Sequence, residues 1–188
     1  MLCKSGFYFS NEIYDIVFFK RLFANLPHNV KFIVEIENYT KFALVPGNME
    51  LNSGHIKVPP SPLQGGEKHG VVGHKTNDSA TGCSGVLSWE IFGSDEKLIV
   101  MYSIPYSHDF HSNWIGVGLS SSIPSFYEMY NGIESGFKRK EFYYDVNPVL
   151  YQGKQFNVVA TCGTDHKPTI VVKLIPKEHE DRHNFEQR

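Results

Sequence analysis

Between Ser103 and Trp114 the chain reads Ser-Ile-Pro-Tyr-Ser-His-Asp-Phe-His-Ser-Asn-Trp. Three aromatic rings and two imidazoles stand there among serines. The stretch from Pro105 to Asn113 is too polar for a buried strand, so it presents its rings where a loop meets water. Aromatic faces attract cations, and Trp and Tyr favour an interface that is wet on one side and apolar on the other. Serine and tyrosine hydroxyls in the same region offer donors to an anion.

Other candidate chemistry is weaker. His108 and His111 are three apart, but no third ligand of matching spacing accompanies them, so a metal site is not expected. His111 gaining charge near pH ~6 is a better use of the imidazole. Lys138-Arg139-Lys140 could meet lipid phosphates or form a solvated turn. Gly82-Cys83-Ser84-Gly85 lacks the Gly-x-Ser-x-Gly pattern of a nucleophile elbow. Gly65-Gly66 is not followed by the Lys-Ser/Thr of a phosphate loop. Cys3, Cys83 and Cys162 fit no zinc spacing and read as small buried hydrophobes, leaving the redox compartment open. No catalytic residue, cofactor or metal is expected, and the chain does not read as an enzyme.

The elements that position these residues follow from periodicity. The 188 residues suffice for one domain that needs no disulfide or metal, and the net charge of −2 argues against a nucleic-acid partner. Residues 1–9 read as an N-terminal extension and 10–176 as the domain. Residues 11–25 suit a helix within a candidate segment 10–26, capped by Ser10 or Asn11 and stopped before Pro27. Its apolar residues cover most of its circumference, which favours packing against a core over lying in a lipid interface. From residue 30 the period becomes two: Val30, Phe32, Val34 and Ile36 alternate with Lys31, Ile33, Glu35 and Glu37, as in a half-buried strand. Further strands are expected at 84–92, 97–104, 114–119, 140–147, 154–161 and 169–175, separated by Gly, Pro and Asp turns. Pro124 and Gly132 bracket one or two helical turns. The fold class is therefore mainly β, a β-sandwich flanked by two short helices. The polar tail 177–188 is expected to be disordered. No run of about 18 apolar residues exists to cross a bilayer as a helix. Residues 13–19 make a poor signal-peptide core, so the protein either leaves the cell without a leader or has an incomplete or unusual N-terminus.

Several of these segments resemble the actinoporin family of sea anemone cytolysins and their relatives in other animals. Residues 103–114 match its Ser-Val-Pro-Tyr/Phe-Asp stretch running into Ser-Asn-Trp. Thr81-Gly82-Cys83-Ser84-Gly85-Val86-Leu87 is similar to its Thr-Gly-Ala-Val-Gly-Val-Leu, and Asn52-Ser53-Gly54 to its Arg-Ser-Gly. Phe126-Tyr127-Glu128-Met129-Tyr130 resembles its second helix and Val30–Asn38 its first strand. The resemblance spans about residues 28–175.

It implies a soluble, secreted sandwich (stored in nematocysts if cnidarian) that recognises phosphocholine headgroups and favours sphingomyelin. It further implies a homo-oligomer on the membrane, where an N-terminal amphipathic helix inserts into a cation-conducting pore. By position, the headgroup site would comprise Ser53, Ser84, Ser103, Pro105, His111, Trp114, Tyr127 and Tyr130, with Tyr106, Phe110 and Trp114 touching the membrane. Trp114, Tyr127 and Tyr130 would cage the quaternary ammonium, which only dispersion and cation–π attraction can hold. Departures are visible. Ser84 stands where the anemone toxins have Val and His111 where they have Tyr. Phe110 and Ile115 replace Trp, Asn131 replaces one of a Tyr pair, and the Arg-Gly-Asp after the second helix is missing. Residues 11–25 are also few and evenly apolar for a pore wall. The competing expectation is a lipid- or carbohydrate-binding lectin-like module that makes no pore.

Overall fold

The computed structural model describes residues 16–133 and 136–182. Eleven strands form two sheets. The first runs β3 (His55–Val58), β4 (Lys68–His74), β1 (Lys31–Asn38), β11 (Thr169–Pro176), β10 (Phe156–Cys162), β9 (Val149–Gln152). The second runs β2 (Leu44–Ser53), β5 (Cys83–Ile91), β6 (Lys97–Ile104), β7 (Asn113–Ser120), β8 (Phe137–Phe142). All pairings are antiparallel except β1 with β11. Two short helices complete the described chain, α1 (Ile16–Asn25) and α2 (Phe126–Asn131), with a 3-10 turn at His179–Asp181. The expected β-sandwich flanked by two helices is what the chain forms.

Alternation supplies the core. Leu87, Trp89 and Ile91 of β5, Leu98, Val100 and Tyr102 of β6, and Ile115 and Val117 of β7 meet Phe32, Val34 and Ile36 of β1 and Ile170, Val172 and Leu174 of β11. Each sheet then hides part of its outer face under a helix. Phe126 and Met129 of α2 cover Val86, Ile99 and Met101. Phe19 of α1 covers Ile33 and Val72.

That second cover corrects the reading of β1 as half-buried, because all eight of its residues are buried. Three charged residues are carried inside and each has a partner. Glu35 lies 3.1 Å from the Lys20 ammonium on α1. Glu37 accepts from Lys68 at 2.9 Å and from the Tyr39 hydroxyl at 2.7 Å. Lys31 donates to the Ala24 and Leu26 carbonyls at 3.0 and 2.7 Å, satisfying acceptors at the end of α1. The Lys68 and Tyr39 bonds hold the Glu37 carboxyl below its usual range against the opposing effect of burial.

Sequence periodicity missed β2, β3, β4 and β9. In β2 the Pro46-Gly47-Asn48 segment looks like a turn, but β2 is an edge strand and absorbs it as a register shift between Pro46 and Met49. The strand expected at 140–147 is shifted: β8 ends at Phe142 and an exposed loop follows. The helix expected at 11–25 is described from Ile16, and its residues 11–15 lie outside the described chain, as do residues 1–10. The helix is less deeply packed than its apolar circumference suggests. Only Phe19 is fully buried, while Val17 and Phe18 are exposed. Residues 177–182, expected to be part of a disordered tail, carry the 3-10 turn. There Lys41 pairs with Asp181 at 2.6 Å and Thr40 bridges to Arg182. Residues 183–188 lie outside the description.

Phe19 is the pin that holds α1. Its ring packs edge-on to His69 at 4.6 Å, over a gap that exists because residue 70 is glycine. A Cβ at Gly70 would stand 2.7 Å from the ring. Phe19→Ala is expected to lower stability by about 3–5 kcal/mol, read by denaturant titration with unchanged slope.

Candidate functional site

The loop 105–112 joins β6 to β7 at one end of the sandwich, and a single side chain sets its course. Asn113 is fully buried. Its amide nitrogen donates to the Gly163 carbonyl at 2.8 Å and the Asp165 carbonyl at 2.9 Å, both on the β10–β11 loop. With both hydrogens spent, the Asn113 oxygen must accept, and His108 Nε2 lies 3.1 Å from it. That bond assigns the hydrogen of neutral His108 to Nε2. Asn113 thus ties the loops of two different sheets together.

Beside this anchor the ends of β5 and β6 bring Ser84 and Ser103 opposite each other as register partners on the outer face. Gly82 precedes them, and its backbone runs so close to β6 that a Cβ would clash with the Ile104 carbonyl. Ser53, from the end of β2, closes the third side. The result is a cavity of about 450 Å³ lined by Ser53, Ser84, Ser103, Pro105, Tyr106, Phe110, His111 and Tyr130 among others. The hydroxyls are not equivalent. Ser53 spends its proton on the Gly82 carbonyl at 2.9 Å. Ser84 accepts from the Asn52 amide at 2.9 Å, which leaves its own proton for the cavity.

Tyr130 reaches the cavity because α2 is fixed at both ends. Ser125 and Glu128 form a capping box, the Phe126 amide donates to the Glu50 carboxylate at 3.2 Å, and Gly132 ends the helix in the left-handed region at φ 69°. The Tyr130 ring stacks on Phe126 at 5.3 Å and meets Trp114 edge-on at 5.9 Å.

Six of the eight headgroup positions expected from sequence therefore line one cavity, and two do not. Trp114 stands behind Tyr130, and the Arg139 guanidinium lies over its ring at 5.1 Å. Tyr127 is exposed on the outside of α2 and touches Phe126. Of the membrane-contact candidates, Phe110 projects furthest at 88% exposure and Tyr106 is also exposed, whereas Trp114 is half-buried. His111 lines the cavity while His108 faces Asn113, so the two imidazoles serve different neighbours. Among the described residues no group of three metal-ligating side chains converges. The basic run is split: Arg139 covers Trp114, and Lys140 is held by Asp145 at 2.8 Å. Cys83 and Cys162 are free and buried, and burial pushes the Cys83 thiol up to about 12, so it is not a nucleophile near neutral pH. Cys3 lies outside the described residues.

Two features escaped sequence reasoning. Asn113 was read as part of a motif rather than as its anchor. The strand expected at 140–147 takes in most of the loop 143–148, yet that loop exposes Tyr143, Tyr144 and Val146 at the same end of the sandwich, with Tyr144 at 86%. The Asp145-Val146-Asn147-Pro148 turn chemistry was the available signal, and Asp145 does accept from the Asn147 amide at 2.8 Å.

The fold defines a class, the β-sandwiches of actinoporin type, and comparison with known proteins agrees. No protein-family model matches the chain. Tereporin-Ca1 of Terebra anilis is 34% identical over 163 residues, covering 79% of this chain and 86% of that protein. Hydra actinoporin-like toxin 2 of Hydra vulgaris is 30% identical over 98 residues, covering 52% and 47%. Among solved structures, the lipid binding protein Nakanori superposes with a TM-score of 0.65 at 12% identity, over 83% of this chain and 76% of that one, which speaks for the fold alone. The chain belongs to the actinoporin-like family.

Replacing Asn113 by Ala would orphan two carbonyls and release both loops. The expected loss is about 3 kcal/mol in denaturant titration, with faster amide hydrogen exchange across residues 105–112.

Proposed function

We propose that the protein is a pore-forming, cytolysin-like toxin whose cavity receives a phosphocholine headgroup. The observation that carries this reading is the convergence of Ser53, Ser84, Ser103, Pro105, His111 and Tyr130 on one cavity beneath exposed Phe110. Its 450 Å³ lies within the range of small-molecule sites. The quaternary ammonium offers no hydrogen, so rings must hold it, at ~0.5–2 kcal/mol each. Tyr130 and Tyr106 supply those rings. The Ser84 hydroxyl supplies a donor to the phosphate, while Phe110 enters the acyl boundary. Sphingomyelin is the preferred lipid and the assembled form is an oligomer with a cation-conducting pore. Membership of a family some of whose members carry toxin names supports the lytic role.

The inserting element would come from residues 1–26. None of the described helices is long and apolar enough to cross a membrane. The ten described residues of α1 span ~15 Å, about half a hydrocarbon core. Exposed Val17 and Phe18 already present an apolar surface. The docking of Phe19 and Lys20 on the first sheet supports the second reading, a binding module without a pore.

Co-sedimentation and dye release on sphingomyelin–phosphatidylcholine vesicles separate the two. Binding with release supports the toxin; binding without release supports the module; no binding sinks both. Tyr130→Ala and Trp114→Ala are each expected to weaken binding at least tenfold, the first by removing a cage ring and the second by letting Tyr130 move. Because Trp114 acts through Tyr130, the double variant should bind about as poorly as Tyr130→Ala alone.

A further inference from the structure

Six of the chain's nine histidines gather at one end of the sandwich. His111 lines the headgroup cavity. His108 and His166 line a second cavity of about 600 Å³, which shares Tyr106 and Ser107 with the first. His28 lines a third, which shares Asn29 with the second. His74 stacks on His28 at 3.8 Å with rings 3° from parallel, and His55 lies 5.7 Å from His74. These rings come from five different connections and strand ends, so only the fold assembles them.

We infer that this end face is a docking surface for anionic lipid that switches on when its histidines gain protons. At neutral pH the charged residues lining the three cavities nearly balance. Lys75 and Lys167 stand against Asp78, Asp109 and Asp165. Lys75 is moreover turned inward, donating to the Thr76 and Ser79 carbonyls at 2.9 and 2.6 Å. The face therefore has little to offer a negative bilayer. Imidazoles ordinarily charge between pH ~5 and 8, and each charge near an anionic surface adds attraction. Exposed Phe110, Tyr106 and Tyr144 at the same end supply interfacial anchors.

The surroundings of the rings differ. His108 and His166 lie 4.1 Å apart, flanked by Asp109, Asp165 and Lys167. His28 faces cations: burial first, then His74, Lys75, Lys31 and His55, hold its pKa below the usual imidazole value. Its neutral form is the one the fold holds, so the His28–His74 contact is kept at neutral pH and weakens as pH falls through the imidazole range. No charged side chain lines the cavity of His111.

This inference shares its membrane-facing end with the phosphocholine reading but is separable from it. The test is co-sedimentation of the full chain with vesicles of phosphatidylcholine alone and of phosphatidylcholine mixed with phosphatidylserine. Binding is measured at about pH 7.5 and about pH 5.5, either side of the imidazole midpoint. The expected result is about tenfold tighter binding to the mixed vesicles at the lower pH, suppressed by salt and absent on phosphatidylcholine alone. The variant His55→Gln/His74→Gln/His166→Gln, whose positions lie outside the headgroup cavity and the Asn113 anchor, should cut that rise to about threefold or less while neutral-pH binding stays as it was. Melting at neutral pH verifies its fold, and the single variants keep the test open if the triple one unfolds. A flat response on mixed vesicles, an equal rise on phosphatidylcholine alone, or a full rise in the substituted protein would each overturn the proposal. If the phosphocholine reading fails instead, phosphatidylcholine vesicles stay unbound at both pH values and the acid response on mixed vesicles still reports.

Discussion

One buried amide holds the working end of this protein together. Asn113 sits where β7 begins, inside the seam between the two sheets, and all of its polar capacity is used. Two carbonyls of the β10–β11 loop and one imidazole of the β6–β7 loop find their partner there. Without it those groups would lose the partner that joins them, and the two loops would no longer be tied. The serine-lined cavity, the exposed Phe110 above it and the His108–His166 contact all hang from loops that this residue joins.

A second constraint is the crowding of β1. A strand at the centre of a six-stranded sheet, covered by the core on one face and by α1 on the other, has no wet side. Its lysine and two glutamates persist because each reaches a specific partner at the rim, and Lys20 ties α1 down through one of them. The helix is therefore fastened by the Phe19 ring, by the Lys20–Glu35 pair and by the Lys31 bonds to carbonyls at its end, while Val17 and Phe18 stay exposed. The Phe19 ring is fully buried, whereas Lys20 is the exposed member of a pair whose glutamate is buried. Such a helix is held, but not deeply, which is the condition an element needs if it is to leave its sheet at a membrane.

Around the cavity the structure divides labour between rings. Tyr130 faces the cavity, Trp114 supports it from behind, and Arg139 occupies the Trp114 face. A cation already stacked on the indole competes with a choline for the same quadrupole. Under the proposed phosphocholine role, Tyr130 is the ring left to the quaternary ammonium, while Tyr106 is shared with the Lys75 ammonium 5.6 Å from its centre.

The sequence by itself determined the sandwich, its two helices and six of the cavity's residues. Period-two alternation, turn residues and the stretch around 103–114 are local signals, written in consecutive residues. It did not determine β2 or the loop 143–148, because an edge strand tolerates Pro46 and because Phe142-Tyr143-Tyr144 are residue types that strands favour. Nor could it separate Trp114 from Tyr130: both are aromatic residues near one loop, and only the packing of α2 decides which faces inward. The burial of both faces of β1 depended on where α1 lands. The gathering of six histidines depended on which strand ends share one end of the sandwich. These are long-range facts, decided when the sheets pair and the helices dock, and no window of sequence contains them.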